Sequence, residues 1–153
     1  MGKFSGGAAE INITPPLGVS LCGFGGRKGP ADNIFDELYA RALVIEEGDV
    51  SVCIVTSDVI SFAPDLVQRI RDMVVRDTGI PGSNLVLSAS HSYSGPTVMS
   101  FRSMGSRDQN YEDMLCRKVL SVVRMAQGRV EAVSLYTGRA PVEIAHNRRE
   151  LRK

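Results

Sequence analysis

Two windows of this chain carry apolar side chains at helical spacing, and most of its remaining apolar residues fall in runs of strand length. Ala63 to Asp77 (APDLVQRIRDMVVRD) places Leu66, Val67, Ile70, Met73 and Val74 on one face, with Gln68, Arg69, Arg71 and Asp72 turned away. Thr78-Gly79-Ile80-Pro81-Gly82 is a stop signal for that helix. Tyr111 to Gln127 predicts a second amphipathic helix, with Met114, Leu115, Val119, Val122 and Val123 inward and Glu112, Arg117, Lys118 and Arg124 outward. Gly7 to Thr14 alternates small or apolar with polar residues and then meets Pro15-Pro16, which predicts a short strand ended by two residues that donate no backbone hydrogen bond. ALVIE, then Glu47-Gly48-Asp49, then VSVCIVTS read as two strands joined by a tight hairpin turn. The second of these is almost continuously apolar and β-branched, which places it centrally in a sheet. LVLSAS, Val130 to Thr137 and Pro141 to Ala145 complete the strand set.

A strand, a helix and a further strand imply a right-handed crossover, so VSVCIVTS and LVLSAS are expected as parallel neighbours. Both then deliver their following residues, Asp58 and His91, to one edge of the sheet. The expected class is α/β: a mixed, partly parallel sheet with two amphipathic helices, ordered β, loop, β, β, α, β, loop, α, β, β. At 153 residues with 43% hydrophobic side chains the chain suits a single domain spanning 1–153.

Charge and cysteine usage narrow the function classes. Eighteen basic residues stand against 17 acidic ones, so no global field draws the chain to nucleic acid or to an anionic membrane. Cys22, Cys53 and Cys116 are odd in number, widely spaced and set in apolar sequence, which fits reduced thiols and a cytoplasmic location. The N-terminus has no apolar leader core, no window has the unbroken apolar length of a membrane span, and Gly6 departs from a myristoylation pattern. The basic end HNRRELRK follows a strand-like run with no closing element, and it reads either as a solvated, frayed terminus, the commoner case, or as the end of an incomplete domain.

Candidate chemistry concentrates in LVLSASHSYSGP, Leu85 to Pro96, where an apolar run ends in small residues and presents His91 and Tyr93 on a Gly-Pro bend. Ligands of α/β proteins bind at such carboxyl edges. An imidazole there suits metal ligation or proton transfer near neutral pH, and equally a hydrogen-bonded structural role. Zinc needs three or four protein ligands, and the chain has two histidines, His91 and His146. Asp58 reads as a base, as a group supporting a metal ligand, or as a cap for the turn that follows. The glycine-rich stretch Leu17 to Pro30 places Arg27 and Lys28 near backbone amides suited to an anion, but it neither follows a buried strand nor opens a helix with Lys-Ser/Thr. No GxSxG elbow surrounds Ser90, Ser92 or Ser94, so a serine-hydrolase site is not expected.

Several stretches in order resemble the N-terminal part of the neutral/alkaline, non-lysosomal ceramidase family: AAEINITPPLGVSLCGFGGR, IFDELYARALVIEEG, VCIVTSDVI, the SHSYSGP loop and HNRRELRK. The likeness covers nearly the whole chain and only the first part of the family's longer catalytic domain. It implies a zinc-dependent amidohydrolase acting on an N-acyl bond in a lipid or other amide. By that resemblance His91 is a zinc ligand, Arg148 reaches the active site and can hold an oxyanion, and Gly23 and Phe24 lie by the substrate pocket. Tyr93 stands where the family's motif has a second histidine; a phenol can donate a hydrogen bond but does not exchange protons near neutrality as imidazole does. The family's other zinc ligands, a later histidine, a glutamate and a tyrosine, would fall beyond Lys153. An incomplete domain would leave sheet edges and apolar surface open to self-association. The alternative reading is a truncated or degenerate, non-catalytic module that binds or interacts.

Overall fold

The computed structural model describes residues 4–100, 102, 105–144 and 149. β1 (Phe4–Asn12), β2 (Tyr39–Glu47) and β3 (Val50–Ser57) form an antiparallel meander, with Gly48 and Asp49 making the two-residue turn between paired Glu47 and Val50. α1 (Pro64–Thr78) and a short 3₁₀ turn (Gly82–Asn84) cross over to β4 (Leu85–Ala89), which runs parallel to β3. α2 (Gln109–Gln127) then returns the chain to β5 (Glu131–Val133), antiparallel to β1. The sheet order is β4-β3-β2-β1-β5, and the α/β class with a mixed, partly parallel sheet and two helices is as expected.

Local chemistry sets the element ends. Asn12 closes β1 because its Oδ1 accepts the Thr14 N–H at 2.8 Å, turning the chain before the prolines; the predicted strand ran two residues further. α1 starts with Pro64 in its first turn, where a missing N–H costs nothing, and ends at Gly79, whose N–H donates to the Val75 carbonyl. Asp108 caps α2 by accepting from the Tyr111 N–H at 2.9 Å.

Both helices pack on one face of the sheet. Leu66, Ile70 and Val74 of α1 and Leu115, Val119, Val122 and Val123 of α2 share a core with Ala40, Ala42, Val44, Cys53 and Val55. Each such aliphatic side chain contributes roughly 1.5–3 kcal/mol by leaving water. No helix among the described residues covers the opposite face. The register sets Ala8 beside Leu43, Leu43 beside Ile54, and Ile54 beside Val86, so one apolar row crosses four strands, and its larger members are 38–49% exposed.

Four expectations are corrected. β3 is interior but not central, and its faces alternate, with Cys53 and Val55 buried and Ile54 and Thr56 open, because only one helical layer covers the sheet. Glu112 is buried at 2% exposure rather than outward, since Arg107 donates to both its oxygens while also bonding Asp65 at 2.7 and 3.1 Å. Only Glu131–Val133 of the predicted strand over 130–137 finds pairing partners, on β1. Residues 141–144 form no strand, and Ala145, with His146, Arg148 and most of the basic end, lies outside the described residues. Among the described residues no helix is long and apolar enough to cross a membrane.

Candidate functional site

β3 and β4 end together, and the backbone beyond them stays paired for two more residues. The Ser90 N–H donates to the Ser57 carbonyl at 3.0 Å and the His91 N–H to the Val59 carbonyl at 3.1 Å. His91 then turns into the left-handed region with φ 61°, which non-glycine residues enter only when the surroundings enforce it. The enforcing contact is its own ring: Nδ1 lies 2.8 Å from the Ile60 carbonyl oxygen. A carbonyl can only accept, so Nδ1 carries a proton and, in the neutral imidazole, Nε2 keeps the free lone pair. The ring is exposed, and a backbone carbonyl on the far nitrogen is the arrangement that orients metal-binding histidines.

The bend continues through Gly95, where a Cβ would stand 2.7 Å from the Asp58 carbonyl oxygen, so the chain passes against the end of β3 as only glycine can. This close approach lets the glycine-rich loop dock. Cys22 N–H donates to the Gly95 carbonyl at 2.9 Å, Thr97 N–H to the Ser20 carbonyl at 2.9 Å, and Leu21 bridges Pro96. Gly23 is thereby pressed onto Tyr93: a Cβ at 23 would fall 2.4 Å from Tyr93 Cδ1, and its φ is 99°.

Three rings follow in sequence across the site. His91 and Tyr93 have centroids 5.4 Å apart, and Tyr93 and Phe24 5.8 Å, both pairs tilted. Phe24 itself has φ 27°, so the two non-glycine residues in the left-handed region among the described residues, Phe24 and His91, both belong to this site. The Tyr93 hydroxyl has no hydrogen-bond partner among the described residues and the side chain is 47% exposed, leaving that donor for a ligand. Alongside runs a groove of about 800 Å³ lined by Leu21, Phe24, Ile34, Phe35 and Leu38, with Ser92 and Ser94 at its polar side. Its size is that of a small-molecule pocket.

Four of the five residues singled out in the sequence therefore meet: His91, Tyr93, Gly23 and Phe24. The fifth, Arg148, lies outside the described residues. Asp58 reaches the same sheet edge but spends its carboxylate on the Tyr39 N–H at 3.0 Å and on Arg41 at 3.4 Å, closing the start of β2. The Ile60 carbonyl was not legible in sequence, because a backbone acceptor has no residue signature. Among the described residues no group of three His, Cys, Asp or Glu side chains comes together to hold a metal. His91 thus fits zinc as one prepared nitrogen, and the described residues do not complete a zinc site.

No protein-family model matches the chain, and no curated protein matches it in sequence. In fold it is similar to the crystal structure of neutral ceramidase from Pseudomonas aeruginosa, with TM-score 0.77 and 20% identity over 86% of this chain. A ceramidase complexed with C2 is similar with TM-score 0.75 and 20% identity, again over 86% of this chain. The likeness to ceramidases read from the motifs is borne out in the fold. The matched region is 22% of each of those chains, so this chain spans about a fifth of their length.

Proposed function

We propose that this chain is one part of a ceramidase-like hydrolase unit acting on N-acyl amides, with the whole of 1–153 belonging to that unit. The observation that carries the reading is His91: a residue in the left-handed region at the end of the parallel pair, its Nδ1 committed to the Ile60 carbonyl and its exposed ring against Tyr93, whose neighbours Ser92 and Ser94 line the groove. His91 serves as one metal ligand. Zinc, when bound in the complete unit, supplies Lewis acidity and an acidified water. Tyr93 donates its hydroxyl hydrogen to the reacting carbonyl oxygen, a role that needs no proton exchange near neutrality and so suits a phenol where the family's motif has histidine. Gly23 makes room for that ring and Phe24 backs it, while the groove takes the acyl chain of a lipid amide. Arg148 is assigned to the oxyanion by resemblance alone.

The test is the zinc content of purified protein, wild type against His91→Ala, together with hydrolysis of a fluorescent N-acyl amide. Loss of a ligand should cut zinc affinity at least about 10-fold, since even groups that merely support ligands have effects of that order. Equal zinc affinity in the two proteins when zinc is titrated in, with no hydrolysis, would overturn the enzymatic reading and leave the alternative, a non-catalytic binding module on a ceramidase-like fold.

A further inference from the structure

Arg27 lies against this ring sequence, and it makes no ion pair among the described residues although Asp32 and Asp36 line the same groove. Its contacts are of another kind. Gly25 and Gly26 form the centre of a tight turn closed by the Arg27 N–H donating to the Phe24 carbonyl at 2.9 Å. That turn folds the Arg27 side chain back over the Phe24 ring, with the guanidinium carbon 5.5 Å from the centroid. The same guanidinium donates through Nη2 to the Tyr93 carbonyl oxygen at 3.1 Å, across 66 positions of sequence. One side chain therefore touches both sides of the junction: the strained Phe24 of the glycine-rich loop and the backbone of Tyr93.

We infer that Arg27 is a positioning residue, a latch that holds the glycine-rich loop on the His91–Tyr93 bend and so sets the Tyr93 ring against the His91 imidazole. Its planar fork suits both jobs at once, stacking on an aromatic face while donating in its own plane to a carbonyl. Without it, Phe24 loses the contact that holds its left-handed backbone, and the turn is free to relax. Tyr93 then loses two constraints together, the bond to its carbonyl and the ring that backs it. The inference deepens the proposed function, since a hydroxyl that must meet a carbonyl oxygen is only useful if the ring is held.

The experiment is read in metal-free protein, on the imidazole Cε1–H resonance of His91 in a proton-carbon spectrum; with two histidines in the chain, His91→Gln assigns it. Removing the neighbouring ring in Tyr93→Leu measures the displacement expected when Tyr93 no longer shields His91. Arg27→Ala should move the resonance at least half as far in the same direction, with the urea midpoint nearly unchanged, because Arg27 is exposed. Arg27→Lys, which keeps a charged donor, should return it most of the way towards wild type. A resonance unmoved in Arg27→Ala would overturn the latch. Should Arg27→Ala fold poorly, Arg27→Gln, which keeps a planar donor and loses the charge, decides by the same comparison with Tyr93→Leu. A displaced resonance in a protein that binds no zinc would keep the latch and sink the hydrolase reading; an unmoved one in a protein that does bind zinc would do the reverse.

Discussion

At position 23 a single hydrogen stands where any other residue would drive a carbon into Tyr93. Gly23→Ala meets two penalties, a Cβ 2.4 Å from Tyr93 Cδ1 and a φ of 99°. Together these should cost roughly 2–4 kcal/mol in urea denaturation. In a Tyr93→Ala background the steric part disappears while the backbone part remains, so Gly23→Ala should cost less there by about 1 kcal/mol or more. Equal costs in both backgrounds would show that the ring and the glycine are not packed as described. The motif reading picked out Gly23, Phe24, His91 and Tyr93 through a fingerprint, but it had no access to why they belong together. Contacts such as Gly23 to Tyr93 join residues 70 positions apart in sequence, and only the docking of the glycine-rich loop on the Gly95 bend creates them.

Among the elements, α2 differs most from its periodic reading. Glu112 occupies a position that the helical wheel leaves in solvent, and Arg107, just before the helix, folds over to pair it with Asp65 at the start of α1. The Arg107 guanidinium also holds the Asp65 carboxyl below the usual carboxylate range, chiefly by hydrogen bonding. Arg107→Ala strands a buried carboxylate and should cost about 3–5 kcal/mol, read as a lowered urea midpoint, with Glu112→Gln recovering part of it. In β3, burial pushes the Cys53 thiol up to about 11. An unfolded thiol ionises near pH 8.5–9, so between about 9 and 11 the unfolded chain has released a proton that the folded chain retains. Stability should accordingly fall as pH rises through that window, by on the order of 2 kcal/mol, and Cys53→Ala should flatten the slope. An identical alkaline slope in both proteins would count against a buried thiol at that position.

For the molecule as a whole, the one-sided layering is the feature with the widest consequence. Val55 and Ile54 are adjacent in β3, yet Val55 is fully buried under the helices and Ile54 is 38% exposed on the bare face. Val55→Ala should cost roughly 2–3 kcal/mol, whereas Ile54→Ala should cost under about 1 kcal/mol despite removing more carbon. Comparable losses in equilibrium unfolding would mean that something covers the second face in solution. The order of elements as far as β5, both amphipathic helices, the hairpin at Gly48 and the parallel pairing that brings β3 and β4 to one edge all followed from the sequence, because periodicity, turn residues and crossover handedness act over a few residues or obey one general rule. The faces of β3, the burial of Glu112, the short β5, the left-handed turn at His91 and the carbonyl that orients its ring were decided by tertiary structure. Each depends on which backbone atom or layer arrives from a distant part of the chain, and side-chain pattern alone carries no record of that arrival.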